Sequence, residues 1–139
     1  MATEDALRTS EILVEGMSVR EFLGLPAAEL DALLLRPERI VFSVGTAEVL
    51  GSFRVRERSL VVELGHVDGG GEGVLRALRL MAQRYAKNRG LTTIEWLVHA
   101  LNCPRPNPKL RRVLDKRGFS VQDVPGTGRV YRLVEPRKP

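Results

Sequence analysis

The chain has little cysteine. A single one, Cys103, stands among 139 residues, which excludes an intramolecular disulfide framework and a zinc cage of thiolates from one chain. That usage favours a reducing, cytoplasmic setting. Cys103 itself reads as an incidental loop thiol rather than a nucleophile, although it lies just ahead of a helix start. Aromatic residues make up only 5% of the sequence, seven in all, so there are few stacking platforms for single-stranded nucleic acid. Long hydrophobic runs are missing as well. Stretches such as Ala32 to Leu35 or Trp96 to Val98 fall far short of the roughly 20 apolar residues that a bilayer span needs. Glu4 and Asp5 precede any apolar stretch, the wrong order for a secretory signal. No internal repeat is present. The one glycine-rich loop is not followed by Lys-Ser/Thr and contains no G-x-G-x-x-G spacing, so neither a Walker nor a Rossmann phosphate turn fits.

What is present is an ordinary globular balance, 43% apolar and 28% charged, with a formal charge of +5. The length predicts one domain, residues 1–139, able to fold without metal or disulfide. The charge is uneven. Residues 1–38 hold three basic and eight acidic side chains, which leaves 19 basic against 9 acidic over residues 39–139. The two parts therefore face different partners, or different sides of one site.

Local signals give the order of elements. Ser18-Val-Arg-Glu21 has the form of a capping box and predicts a helix start. Pro26 opens a second helix carrying Leu30, Leu33 and Leu34, which Pro37 stops. Two amphipathic helices are thus expected before the core at 39–134. From Arg39 the period switches to two, and three strands are predicted near 39–44, 47–56 and 59–67, turning at Gly45-Thr46 and Arg56 to Ser59. The third strand runs into Asp68-Gly-Gly-Gly-Glu-Gly73. A helix then shows an apolar stripe of Val74, Leu78, Met81, Ala82 and Tyr85 and a C-cap at Gly90. Thr92 to His99 predicts a buried strand, in which Trp96, like Met81, reads as core. Asn107-Pro108 starts a further helix that ends at Gly118. Two strands around Pro125-Gly-Thr-Gly128 close the chain as a hairpin, and residues 135–139 read as a loose tail.

The informative unit is strand, glycine loop, helix, strand. Glycines let the backbone approach a ligand closely, and free amides at a helix N-terminus favour an anion, so a phosphate or pyrophosphate site is the natural inference. The run Gly70-Gly-Glu-Gly-Val-Leu-Arg-Ala-Leu78, continuing to Lys87-Asn-Arg-Gly-Leu91, resembles the GNAT superfamily of acyl-CoA-dependent N-acyltransferases. The family loop reads Arg/Gln-Gly-x-Gly-x-Gly/Ala, and Gly71, Gly73, Ala77 and Leu78 match it. A second block, from Asn107 through Leu110, Val113, Leu114 and Lys116 to Gly118-Phe119, is similar to the family's later helix. The resemblance covers roughly residues 39–134 and places the two N-terminal helices on the acceptor side.

The resemblance implies an α+β fold with a mostly antiparallel mixed sheet of six to seven strands and about four helices. It implies transfer of an acetyl or acyl group from acetyl-CoA or another acyl-CoA to a primary amine on a small molecule or a protein. No metal is expected. On this reading Val67, Gly69, Gly70, Gly71, Glu72, Gly73, Val74 and Asn107 bind the coenzyme. The sequence departs from the family at Gly70, where Arg or Gln opens the loop, at Leu75, where a second Gly or Ala stands, and at Leu114, in place of a Tyr that protonates the thiolate. Two versions follow. One is an enzyme using direct attack by a deprotonated amine; the other is a degenerate member that acts as a coenzyme A binding, interaction or regulatory module. The family also forms dimers. A base is needed to take the ammonium proton, and the candidates are Glu63 and His66 on the strand entering the loop, with Glu95 and His99 on the strand opposite. Burial is expected to raise the pKa of Glu63. Glu57, in a turn, ranks below these, and Tyr131 on the last strand is the candidate proton donor. Arginines and lysines of the two later helices are solvated, save one or two for the 3′-phosphate of the coenzyme. A nucleic-acid partner ranks behind an amine, and no membrane partner is expected.

Overall fold

A computed structural model describes residues 12–44, 47–68, 72–100 and 108–138. The side chains of residues 44, 47, 66–68, 72–74, 108 and 109 are outside that description, as are the whole of Gly69, Gly70, Gly71, Cys103 and Asn107. The fold is α+β. Its strands are β1 (Ile12–Val14), β2 (Met17–Ser18), β3 (Ile40–Val44), β4 (Ala47–Arg56), β5 (Ser59–Asp68), β6 (Thr93–Val98), β7 (Ser120–Val124) and β8 (Gly128–Pro136). Its described helices are α1 (Val19–Leu23), α2 (Ala27–Leu34), α3 (Glu72–Arg89) and α4 (Pro108–Lys116). The strands form one sheet in the order β2-β1-β3-β4-β5-β6-β8-β7. Every neighbouring pair is antiparallel except β5 and β6.

Eight strands stand where six or seven were expected, because Ile12–Val14 and Met17–Ser18 form a hairpin ahead of the first helix. Glu15 and Gly16 turn it with positive φ, 52° and 83°. A non-glycine residue is uncommon in that region. The Glu15 carboxylate is held there by the Arg36 guanidinium and accepts from the Val41 amide at 3.1 Å. The capping signal at Ser18 is obeyed, its hydroxyl accepting from the Glu21 amide at 3.1 Å. Gly90 and Gly118 end α3 and α4 in the left-handed region expected of a helix C-terminus.

Alternation gives the sheet two unlike faces. Phe42, Phe53, Leu60, Val62, Leu64, Ile94, Trp96 and Val98 belong to one buried cluster that also takes in Phe22, Leu30, Leu34, Leu75, Leu78, Met81, Tyr85, Leu110 and Leu114 from all four helices. This is the helix face. Trp96 and Met81 are core, as expected. The second face carries a smaller cluster of Val61, Leu97 and Val130, with Val124 against it, set among charged residues. Helices α2 and α3 are tied by the Tyr85 hydroxyl, which donates to Asp31 Oδ1 at 2.7 Å, while Arg89 Nη1 lies 3.1 Å from Asp31 Oδ2. Burial, and then the bond to the Asp31 carboxylate, push the Tyr85 phenol well above its ordinary value. Among the described residues no helix is long and apolar enough to cross a membrane.

The loose tail is a correction. β8 runs to Pro136, and Glu135 is buried on the helix face. Its carboxylate accepts from Arg79 Nε at 3.1 Å to each oxygen, from Gln83 Nε2 at 3.1 Å and from Trp96 Nε1 at 3.3 Å. Four donor contacts on one carboxylate pin the last strand to α3. Replacing Glu135 by Ala strands these donors and should cost about 2–3 kcal/mol, read as a fall in thermal midpoint; an unchanged midpoint would show that the strand is held elsewhere.

Candidate active site

Parallel strands need a long crossover, here supplied by α3 between β5 and β6. Their pairing runs from Ser59 opposite Thr93 to Leu64 opposite Val98, and the His99 amide closes it by donating to the Leu64 carbonyl at 2.9 Å. There the two strands part company. β6 ends, while Gly65 to Asp68 continue alongside β4. Over that stretch β5 advances three residues, from Gly65 opposite Leu50 to Asp68 opposite Glu48, while β4 advances two. The extra residue is a bulge, which bends and twists its strand. The carboxyl ends of two parallel strands and the start of α3 at Glu72 thus meet at a fork, the position where open sheets with parallel strands bind ligands. A Cβ added to Gly65 meets no atom of the described residues within 4 Å, so among them there is space beside the fork.

Glu63 and His99 flank it on the charged face. His99 Nε2 lies 2.7 Å from Glu63 Oε2, and Arg54 Nη1 lies 3.0 Å from Glu63 Oε1. Burial of Glu63 acts to raise its pKa, but the hydrogen bonds and charges of His99 and Arg54 together outweigh it and hold the carboxyl below its ordinary value. This corrects the expectation of a raised Glu63: it is an anion that serves as an acceptor. An anionic Glu63 makes Nε2 of His99 the donor. Such a pair orients the imidazole.

The other candidates separate. Glu95 lies opposite Val61, further from the fork, between Arg132 Nε at 3.2 Å and Arg56 Nη2 at 3.5 Å. It is a structural carboxylate locked by two guanidinium groups. Glu57 turns the β4–β5 hairpin at the opposite end of the sheet. His66 and Val67 lie on β5 beyond the fork, within the bulged stretch, and Glu72, Gly73 and Val74 form the first turn of α3; their side chains are outside the description. Gly69, Gly70, Gly71 and Asn107 lie outside the described residues altogether. Tyr131 pairs with Val98 and sits on the helix face, 6% exposed, in the row Leu64, Val98, Tyr131 that marks the fork. It shares the end of the sheet with the Glu63–His99 pair, on the opposite face. Leu75 and Leu114 are both buried in the main cluster, so Leu75 is turned into the core. Among the described residues no three His, Cys, Asp or Glu side chains gather as a metal site.

Arg54 is the member that sequence reasoning left out. Its only signal was its place on the polar side of a period-two strand, with Ser52 and Arg56.

No family model matches the sequence, and no curated protein matches it. Among solved structures the chain is similar to Ard1 from Thermoplasma volcanium, at 14% identity and a TM-score of 0.44, covering 93% of this chain and 99% of that one. It is similar to the spermidine/spermine N-acetyltransferase SpeG from Vibrio cholerae, at 18% identity and a TM-score of 0.44, covering 94% and 95%. It is also similar to the paia N-acetyltransferase from Thermoplasma acidophilum in complex with coenzyme A, at 14% identity and a TM-score of 0.41, covering 87% and 97%. At these values the likeness is one of general outline, and the chemistry has to come from the chain's own residues.

The Glu63 carboxyl titrates lower in the folded chain than its ordinary 4.5. It therefore contributes stability that is fully present above that pH and is lost as the pH falls through the folded value. Glu63→Gln should flatten the acid limb of the stability profile in thermal melts taken from neutral to acid pH. An acid limb as steep as the parent's would show that the bonds from His99 and Arg54 do not hold in solution.

Proposed function

We propose that this chain is a divergent member of the GNAT superfamily, an N-acyltransferase that moves an acetyl or acyl group from coenzyme A to a primary amine. The observation that carries this reading is the fork between β5 and β6 with the Glu63–His99 pair at its edge. The backbone amides of the 69–71 loop and of Glu72, Gly73 and Val74 bind the pyrophosphate, aided by the dipole of α3. With Gly70 at the loop's opening position, that charge is met by amides rather than by a guanidinium. The pantetheine arm enters where the strands part, and the open space at Gly65 admits the acyl end.

His99 takes the proton from the acceptor ammonium, and the Glu63 carboxylate beside its Nε2 holds the ring in place. The free amine then attacks the thioester carbonyl, the C–N bond forms, and the C–S bond breaks. Tyr131 returns a proton to the leaving thiolate and regains one from solvent, a role open to it because Leu114 offers none. The acceptor is a small molecule or a protein amine. Glu21 and Glu29, exposed on α1 and α2, favour a cationic one; Asp31 is already engaged by Tyr85 and Arg89.

The buried Leu114 also favours a second reading, a module that binds coenzyme A without turning it over. Calorimetry with acetyl-CoA separates these from an unrelated function. Binding should be seen and should be abolished by Gly73→Arg, and no heat at millimolar ligand would sink both readings. Thioester cleavage with a pool of amines then decides between them. For the enzyme, His99→Gln should lower kcat by about 10²–10⁴ with coenzyme affinity retained, whereas absence of any turnover in the parent leaves the binding module.

A further inference from the structure

A second cavity lies away from the fork, on the helix face. Leu75, Trp96, Phe119 and Leu133 line a hollow of about 270 Å³ between α3 and the segment after α4, with Arg79, Arg117 and Glu135 on its polar side. A wider hollow of about 400 Å³ shares Arg79 and Arg117 with it and adds Arg76 and Lys138. Among the described lining residues Arg76, Arg79, Arg117 and Lys138 are cationic and Glu135 is the carboxylate. That carboxylate, Glu135, is already occupied by Arg79 Nε, Gln83 and Trp96.

Arg79 is the key to what the hollow can take. Its Nε spans both oxygens of Glu135 at 3.1 Å, which fixes the guanidinium by one edge. Its two Nη groups make no hydrogen bond among the described residues, and its side chain is 37% exposed. A planar guanidinium held on one side and open on the other matches a carboxylate in a forked geometry. The walls beside it are apolar and partly aromatic. The hollow's volume of about 270 Å³ lies just below the usual range of ligand pockets, roughly 300–1,000 Å³, so the occupant is small.

We propose that this hollow is a binding site for a small apolar carboxylate, such as a medium-chain fatty acid anion, with its charged end on the Nη groups of Arg79 and its body against Trp96, Phe119 and Leu133. The site is independent of the acyl-transfer reading. It lies over the Trp96–Leu133 pair, whereas the fork is marked by Leu64, Val98 and Tyr131.

Trp96 is the only tryptophan of the chain, so intrinsic fluorescence reports on this hollow directly. Titration of the whole protein with octanoate should give a saturable change in Trp96 emission. Octan-1-ol, which keeps the apolar body without the charge, should bind at least about tenfold more weakly, the difference expected from a charge-assisted bond. Inorganic phosphate should give no change, and saturating coenzyme A should leave the octanoate curve where it was. Arg79→Lys, which keeps a cation for Glu135 but not the second pair of donors, should weaken octanoate by about tenfold or more. Leu133→Phe fills the hollow with an apolar side chain and should abolish the response with the fold intact by circular dichroism. The proposal is overturned by a parent that does not respond to octanoate or responds equally to octan-1-ol. It is overturned equally by a response that survives Leu133→Phe in a folded variant, or by displacement of octanoate by coenzyme A, which would make the hollow part of the coenzyme cleft.

Discussion

The parallel pairing of β5 with β6 is the constraint on which the rest of the molecule depends. Antiparallel neighbours can be joined by two residues, as β4 and β5 are through Glu57 and Arg58. Parallel neighbours cannot, and the crossover here is the 18-residue helix α3. Three consequences follow from that one connection. The carboxyl ends of β5 and β6 lie on the same side, the N-terminus of α3 is brought to that side, and the β5 bulge after Leu64 lets the strands diverge there. An all-antiparallel meander of the same strands would have had a turn where this chain has a fork. The 18 residues of α3 also carry most of the helix face, since Leu75, Leu78, Met81, Ala82 and Tyr85 all reach the main cluster. The element that creates the fork is thus the element that stabilises the sheet around it.

Six of the arginines are paired with carboxylates once the register is known. Arg54 is matched with Glu63, Arg56 and Arg132 with Glu95, Arg79 with Glu135, Arg89 with Asp31 and Arg36 with Glu15. Several of these basic residues lie on strands, where alternation puts them in rows across the sheet. Exposed pairs contribute little stability. The carboxylates of Glu63, Glu95 and Glu135 are largely buried, and there an arginine is required because the carboxylate has lost much of its water. The arginines of these pairs are therefore structural, and a count of basic residues by itself is a poor guide to an anionic partner.

Much of the architecture was legible from local chemistry. The Ser18 cap, the stripe of α3, the glycine stops at Gly90 and Gly118 and the period-two run from Val49 to Val55 each state their own conformation within a few residues. The β1–β2 hairpin was not legible, because Glu15-Gly16 is a weak turn signal and Glu15 tolerates its positive φ through Arg36 and Val41, both more than 20 residues away. The C-terminal strand was misread as a tail for the same reason. Glu135-Pro-Arg-Lys looks polar and loose, and what orders it is Arg79, Gln83 and Trp96, 39 to 56 residues distant. The site shows the limit most clearly. Glu63 and His99 were visible one at a time, but whether they touch depends on a parallel register that neither strand encodes alone.

That register also determines how the chemistry is divided between the faces of the sheet. At the fork, Leu64, Val98 and Tyr131 fall on the helix face and Glu63 and His99 on the other. A one-residue slip between β5 and β6 would exchange the faces and place an ionised carboxylate in the main core. The cost of burying that charge is what fixes the pairing, with Glu95 and Glu63 on the charged side and Ile94, Trp96 and Val98 on the apolar side. Of the carboxylates that hold the register, Glu63 is the one that neighbours the fork. Sheet specificity and the placing of the Glu63–His99 pair come from the same interaction, and a change that neutralises Glu63 acts on both.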